Sequence, residues 1–138
     1  MAELADTSAW IVADRDPELR QRFSSAVAGG DIATCGAVAF ELLYATRNAI
    51  EFSTARTALD QLHNCPIGAR QWRRAFDVYE QLAHKGGMHD RAVKHLDLLT
   101  AAAAESAGLP VLHYDADFEI IAELTGQPTR WIAPRGSL

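Results

Sequence analysis

Short apolar runs alternate with longer helical segments along the whole chain, and this alternation is the strongest constraint on its fold. Residues 3–6, 31–34, 65–67, 109–114 and 129–133 read as strands. Between them the pattern predicts helices over 9–13, 36–47, 53–63, 70–85, 97–107 and 117–124. Another helix runs from the Asp16-Pro17-Glu18 start to the Gly29-Gly30 stop. On the 70–85 helix, Trp72, Phe76, Tyr79, Leu82 and Ala83 recur at core spacing. Residues 88–95 read as a loop. Strands separated by whole helices pair in parallel rather than as hairpins. The expected class is therefore α/β, a parallel sheet flanked by helices. The 138 residues show no repeat, low-complexity stretch or linker, which fits a single domain over 1–138.

Other classes are excluded by composition. The chain is 49% hydrophobic and 22% charged, which argues against intrinsic disorder. Charges interrupt every apolar run well before eighteen residues, so no transmembrane helix and no membrane partner is expected. The opening residues Met1 to Asp6 lack a basic segment and a long apolar stretch, so no secretory signal is expected. Cys35 and Cys65 form no Cys-x-x-Cys pair and read as reduced thiols of a cytoplasmic protein. They are too few for a structural zinc site.

In open parallel sheets, ligands bind beyond the carboxyl ends of the strands. Two strands here lead into acids, Leu4-Ala5 into Asp6 and Leu112-His113-Tyr114 into Asp115, with Asp117 two residues on. Taken singly, Asp6, Asp97, Asp115 and Asp117 all read as helix caps. Glu41 does not, because it lies inside a helix among Ala37, Val38, Tyr44 and Ala45. A carboxylate on such a stripe faces inward and needs a cation, a proton or a metal; Arg47 and Arg56 are the internal candidates. Taken together, the five acids suit an oxygen-only Mg²⁺ or Mn²⁺ site. Net charge is −5, from 13 basic and 18 acidic residues; with those five set aside, 13 acids balance 13 bases. A basic group at Arg70, Arg73, Arg74, Lys85, Arg91 and Lys94 offers a phosphate-contacting rim or a solvated helix face.

No pair among His63, His84, His89, His95 and His113 has the spacing of a helical metal site. His113, on a strand, reads as a packed core residue, whereas His89 and His95 read as loop residues near the third acid. Trp10 and Trp131 are candidates for base stacking, and Trp72 reads as core.

Four segments in order resemble the motifs of the PIN-domain ribonucleases, and within them the VapC toxins. They are Leu4-Ala5-Asp6-Thr7-Ser8-Ala9-Trp10, Phe40-Glu41-Leu42-Leu43-Tyr44, Asp97-Leu98-Leu99-Thr100-Ala101-Ala102 and Leu112-His113-Tyr114-Asp115-Ala116-Asp117-Phe118. The likeness extends to the ending Trp131 to Leu138. One departure is His95-Leu96 before Asp97, where many relatives have a proline or small residue; Thr100 is another, expected to adjust local packing.

The resemblance implies a three-layer fold with a five-stranded parallel sheet. It implies an endoribonuclease using Mg²⁺ or Mn²⁺, often on structured RNA such as tRNA. A water activated by the metal would cut the P–O3′ bond, leaving 5′-phosphate and 3′-hydroxyl ends. On this reading Asp6, Glu41, Asp97 and Asp115 are catalytic, and Asp6, Asp97, Asp115 and Asp117 hold metal. Ser8 or Thr7 orients a metal-bound water or caps the first helix. The expected partners are a VapB-type antitoxin and a second copy of the chain, giving a homodimer and a heterotetramer or larger assembly. Two rival readings are a Mg²⁺-dependent phosphoryl-transfer domain and a non-catalytic PIN-like module that only receives an antitoxin. Asp115-x-Asp117 resembles a phosphatase pair, but that pair normally opens a chain, and Glu41 inside a helix fits it poorly.

Overall fold

A computed structural model describes residues 1–86 and 93–138. In chain order the elements are β1 (Glu3–Ala5), α1 (Thr7–Ala13), α2 (Pro17–Ala28), β2 (Ile32–Cys35), α3 (Gly36–Tyr44), α4 (Ala49–Asp60), β3 (His63–Cys65), α5 (Ala69–Lys85), α6 (His95–Ala107), β4 (Val111–His113), α7 (Asp117–Thr125) and β5 (Thr129–Trp131). The five strands form one sheet in the order β3-β2-β1-β4-β5. Every pairing is parallel, with Leu4 beside both Ala33 and Val111.

The pleat explains the three layers, because successive side chains on a strand point to opposite faces. On β1, Leu4 joins one core while Ala5 joins the other; Val111 and Leu112 divide the same way on β4. One face packs against α3, α5, α6 and α7 through Val38, Val78, Leu82, Leu98, Phe118 and Ile121. The opposite face packs against α1 and α2 through Ala9, Val12, Leu19 and Phe23. The expected α/β sandwich is thus present.

Several expectations need correction: α3 ends at Tyr44 rather than 47, and His95 opens α6 instead of lying in a loop. Helix α4 begins at Ala49 rather than 53, because Asn48 Oδ1 accepts the Glu51 N–H at 2.9 Å and caps it. Strand β3 covers His63–Cys65 and stops at Pro66, which has no N–H to give to a ladder. On α5 the inward stripe is Ala75, Val78 and Leu82, while Trp72, Phe76 and Tyr79 are exposed. Helix α6 presents the buried run Ala101, Ala102, Ala103 and Ala104, which offers little side-chain bulk at this layer. The smaller stripe of α5 faces inward and leaves the aromatics on its flank.

Cys35 and Cys65 lie directly opposite each other on β2 and β3, both buried and both free thiols. Burial pushes both thiols up from their ordinary pKa. Among the described residues, no helix is long and apolar enough to cross a membrane.

Candidate active site

The loops beyond the carboxyl ends of β1 and β4 and the starts of α6 and α7 bring the five acids together. Asp6 follows β1 and is only 2% exposed. It caps α1: its Oδ2 accepts the Ser8 N–H at 3.0 Å and the Ser8 hydroxyl at 2.6 Å. Glu41 reaches in from α3 and accepts the Thr7 hydroxyl at 3.0 Å. Asp97 lies in the first turn of α6 and is 4% exposed. Asp115 follows β4, and its Oδ1 accepts the Asp117 N–H at 2.9 Å. Carboxylate oxygens of Asp6, Glu41 and Asp97 lie within 4.8 Å of one another, as do those of Asp97, Asp115 and Asp117. Asp97 belongs to both sets.

The internal cations expected for Glu41 are engaged elsewhere. Arg47 pairs with Glu51 and Arg56 with Asp60, each one helical turn away. Among the described residues, Lys94 is the one basic side chain paired with any of the five acids; its Nζ donates to Asp115 Oδ2 at 3.3 Å. Its backbone N–H also donates to Asp117 Oδ2, at 3.3 Å. Burial works to lower the Lys94 pKa, but attraction to Asp115, Asp97 and Asp117 outweighs it and leaves that pKa raised.

Burial, then repulsion from Asp6, pushes the Asp97 carboxyl up to about 9. Burial raises the Asp6 pKa as well, against the lowering effect of the Ser8 hydrogen bonds. Asp6 Oδ1 and Asp97 Oδ2 are buried without a hydrogen-bond partner. Two orphaned carboxylate oxygens in a cluster of like charge are the donor set a hard divalent cation requires. The residues present therefore fit such an ion.

Ser8 and Thr7 donate their hydroxyls directly to Asp6 and Glu41, and the cap of α1 is Asp6 rather than either of them. The Ser8 hydroxyl also accepts the Tyr114 N–H at 2.9 Å, tying the first acid to the end of β4. His113 is a fully buried core residue between Phe118 and Trp131, as expected. It does something more, because its Nδ1 accepts the Asp115 N–H at 3.2 Å and so steadies the fourth acid. Burial holds its pKa down at about 4, against the pull of Asp115 and Glu119. The Lys94 contact is made through space and no local pattern signals it, whereas the His113 bond spans only two residues and depends on how the ring turns, which residue types do not encode. Thr100 fits its expected packing role: it is fully buried and donates to the Leu96 carbonyl at 3.1 Å.

The basic rim does not assemble as a group. Arg74 pairs with Glu105 and Lys85 with Glu123, and among the described residues only Lys94 reaches the acids. Arg91 and His89 lie outside the described residues. Trp10 packs edge-on against Phe23 at 4.8 Å, and Trp131 packs on His113 and donates to Glu119. Trp72 is 48% exposed beside Phe76. None of the three tryptophans lines the cleft at Glu41; Tyr79 and His95 do.

The model of the PIN domain matches residues 4–124. The chain belongs to the PIN-domain family. Within that family it belongs with the VapC proteins. It is 44% identical over 138 residues to Ribonuclease VapC18 of Mycobacterium tuberculosis, covering 100% of each chain. It is 38% identical over 122 residues to Ribonuclease VapC51 of the same organism, covering 88% of this chain and 87% of the relative. Its fold matches a chain of DNA-bound VapBC from Salmonella typhimurium with a TM-score of 0.72 at 19% identity. That match covers 96% of this chain and 100% of the other. A chain of promoter-bound VapBC2 from Rickettsia felis matches with a TM-score of 0.70 at 17% identity, over 95% and 98% of the two chains. The five-stranded parallel sheet implied by the PIN resemblance is the one observed.

Proposed function

We propose that residues 1–138 act as one PIN unit, the endoribonuclease toxin of a VapBC-type toxin–antitoxin pair. One observation carries the reading: Asp97 is shared by two acid sets, and Asp6 Oδ1 and Asp97 Oδ2 are buried with no hydrogen-bond partner among the described residues. Relatives named ribonucleases supply the reaction class. Asp6, Glu41, Asp97 and Asp115 are the catalytic acids; Asp6, Asp97, Asp115 and Asp117 hold the metal, Mg²⁺ or Mn²⁺. The bound ion supplies positive charge to activate a water and to offset charge developing at phosphorus.

The chain's own residues do the rest. Thr7 and Ser8 fix the orientation of Glu41 and Asp6. His113 holds the backbone that carries Asp115. Lys94 keeps Asp115 in place and offers an exposed cation to an incoming phosphate. Cleavage at P–O3′ gives 5′-phosphate and 3′-hydroxyl ends, with no role for the 2′-hydroxyl as nucleophile. A structured RNA such as tRNA suits the reading. Similarity to chains of VapBC complexes supports a VapB-type antitoxin as partner; the reading also includes a homodimer and a cytoplasmic location.

Total RNA incubated with the protein and Mn²⁺, with EDTA, and with Asp97→Ala tests the reading. Products with 5′-phosphates that need metal and vanish in the variant are expected. Cleavage that survives both EDTA and the substitution overturns the metal site. Antitoxin binding with no cleavage of any RNA favours a binding module instead.

A further inference from the structure

Beside the acids, a cleft of about 540 Å³ opens between α5 and the start of α6. Glu41, Tyr79, Lys94 and His95 line it together with the apolar Val93, Leu96 and Leu98. Glu41 therefore belongs both to the acid cluster and to the cleft wall, so the cleft is continuous with the place where a phosphate would be cut. Its size falls in the range of small-molecule sites. Tyr79 is 48% exposed, and its hydroxyl makes no hydrogen bond among the described residues. His95 is exposed and carries ring nitrogens that can meet the edge of a heterocycle. The wall thus combines an uncovered aromatic face, a polar ring edge and, at its acid end, an exposed ammonium group. A nucleotide has use for all three, as base plane, base edge and phosphate.

We propose that this cleft is a nucleobase subsite, in which Tyr79 stacks on the base of a nucleotide flanking the scissile phosphate. The inference rests on the ribonuclease reading and adds where that enzyme's base preference comes from. Neither Trp10 nor Trp131 takes this role, because both are packed against other side chains. Trp72 and Phe76 share the exposed stripe with Tyr79 but do not line the cleft.

The test compares the parent chain with Tyr79→Phe, Tyr79→Leu, Tyr79→Ala and Phe76→Ala, each checked for its circular dichroism spectrum. Total RNA with Mn²⁺ is the substrate, and cut sites are mapped. A short single-stranded RNA carrying one 2-aminopurine serves as a stacking probe, read by stopped flow before cleavage. Loss of one base stack corresponds to a roughly ten- to hundredfold fall in kcat/KM for the Leu and Ala variants. Their base preference at the cut should relax and their quenching of the probe should disappear. Tyr79→Phe and Phe76→Ala should stay within about twofold of the parent, as expected for a stack confined to the cleft.

If Tyr79→Leu cuts like the parent with the same preference, stacking is overturned while the nuclease reading stands. Unchanged cleavage together with lost self-association or lost antitoxin binding in Tyr79→Ala makes the cleft a protein interface and overturns the proposal. If the parent cuts no RNA and quenches no probe, the ribonuclease reading fails and the subsite with it.

Discussion

The two ends of β1 carry acids three residues apart, and the fold treats them in opposite ways. At the amino end, Glu3 receives a bidentate pair from Arg130, at 2.8 and 2.7 Å. At the carboxyl end, Asp6 receives only the Ser8 N–H and hydroxyl, and its second oxygen has no partner. Glu41, Asp97, Asp115 and Asp117 crowd the same end with Lys94 as their one paired cation. Where the chain needs only to hold its sheet together, it supplies a guanidinium in the geometry carboxylates prefer. At the carboxyl end the described residues supply Lys94 alone, which leaves the charge for the proposed metal ion to balance. The contrast separates a structural acid from a functional one more sharply than burial alone.

The largest effect should follow from emptying the shared position. Asp97→Ala removes the one carboxylate common to both acid sets. Cleavage should fall by about a thousandfold or more, a magnitude typical of removing a charge that meets the transition state. Isothermal titration of Mn²⁺ should show weakened binding in the same variant. Parent-like Mn²⁺ binding by Asp97→Ala would mean that this end of β1 does not depend on external charge.

The second effect concerns stability and has a defined sign. Asp97 is held near 9 in the fold and titrates near 4 when unfolded. The folded state therefore keeps a proton that the unfolded chain has lost. This favours the metal-free fold below about pH 4, and the advantage is lost as pH rises towards 9. Asp97→Asn, which stays neutral throughout, should be more stable than the metal-free parent at pH 8. The gain should shrink on acidification, and saturating Mg²⁺ should rescue the parent but not the variant. Urea denaturation at pH 5 and pH 8 reads all of this. A variant less stable than the parent at pH 8 would break the comparison.

What could be read from the sequence follows the same division between local and through-space physics. Asp6 and Asp115 were legible because strand ends in a parallel sheet share one edge. Glu41 was legible because a charge on an apolar helical stripe calls for a reason. The stripe on α5 was misread because periodicity tells which residues share a face, not which of two adjacent stripes turns inward. That choice was made by Ala101 to Ala104 on a helix some twenty residues away. The start of α4 was missed because Asn48 precedes an unremarkable Ala49-Ile50 pair, so its cap bond had to be seen. The Lys94 contact with Asp115 had no local signature, and the His113 bond to Asp115, though only two residues long, rests on a ring orientation that residue types do not encode.

A smaller effect should come from Ser8, which is the only hydrogen-bonding side chain on Asp6. Ser8→Ala leaves every acid in place but removes the 2.6 Å hydroxyl contact and the link to the Tyr114 N–H. Metal affinity should weaken about tenfold, the low end of what support residues contribute. Titration with Mn²⁺ checks this, and Ser8→Thr should restore most of it. An unchanged affinity in Ser8→Ala would reduce Ser8 to a donor that steadies the Asp6 cap of α1.

The smallest effect belongs to the other end of the strand. Glu3→Gln keeps the shape of the side chain and removes its charge, leaving Arg130 without its bidentate partner. The Arg130 side chain is 58% exposed, so water takes over much of the lost interaction. The expected cost is about 0.5–1 kcal/mol, within the range of partly exposed pairs, and should diminish in high salt. Cleavage rate and Mn²⁺ affinity should not change, because Glu3 sits at the edge of the sheet away from the acids. If Glu3→Gln instead lowered activity as much as Ser8→Ala does, the two ends of β1 would be coupled through the strand. The division between a structural acid and a functional one would then be a matter of degree.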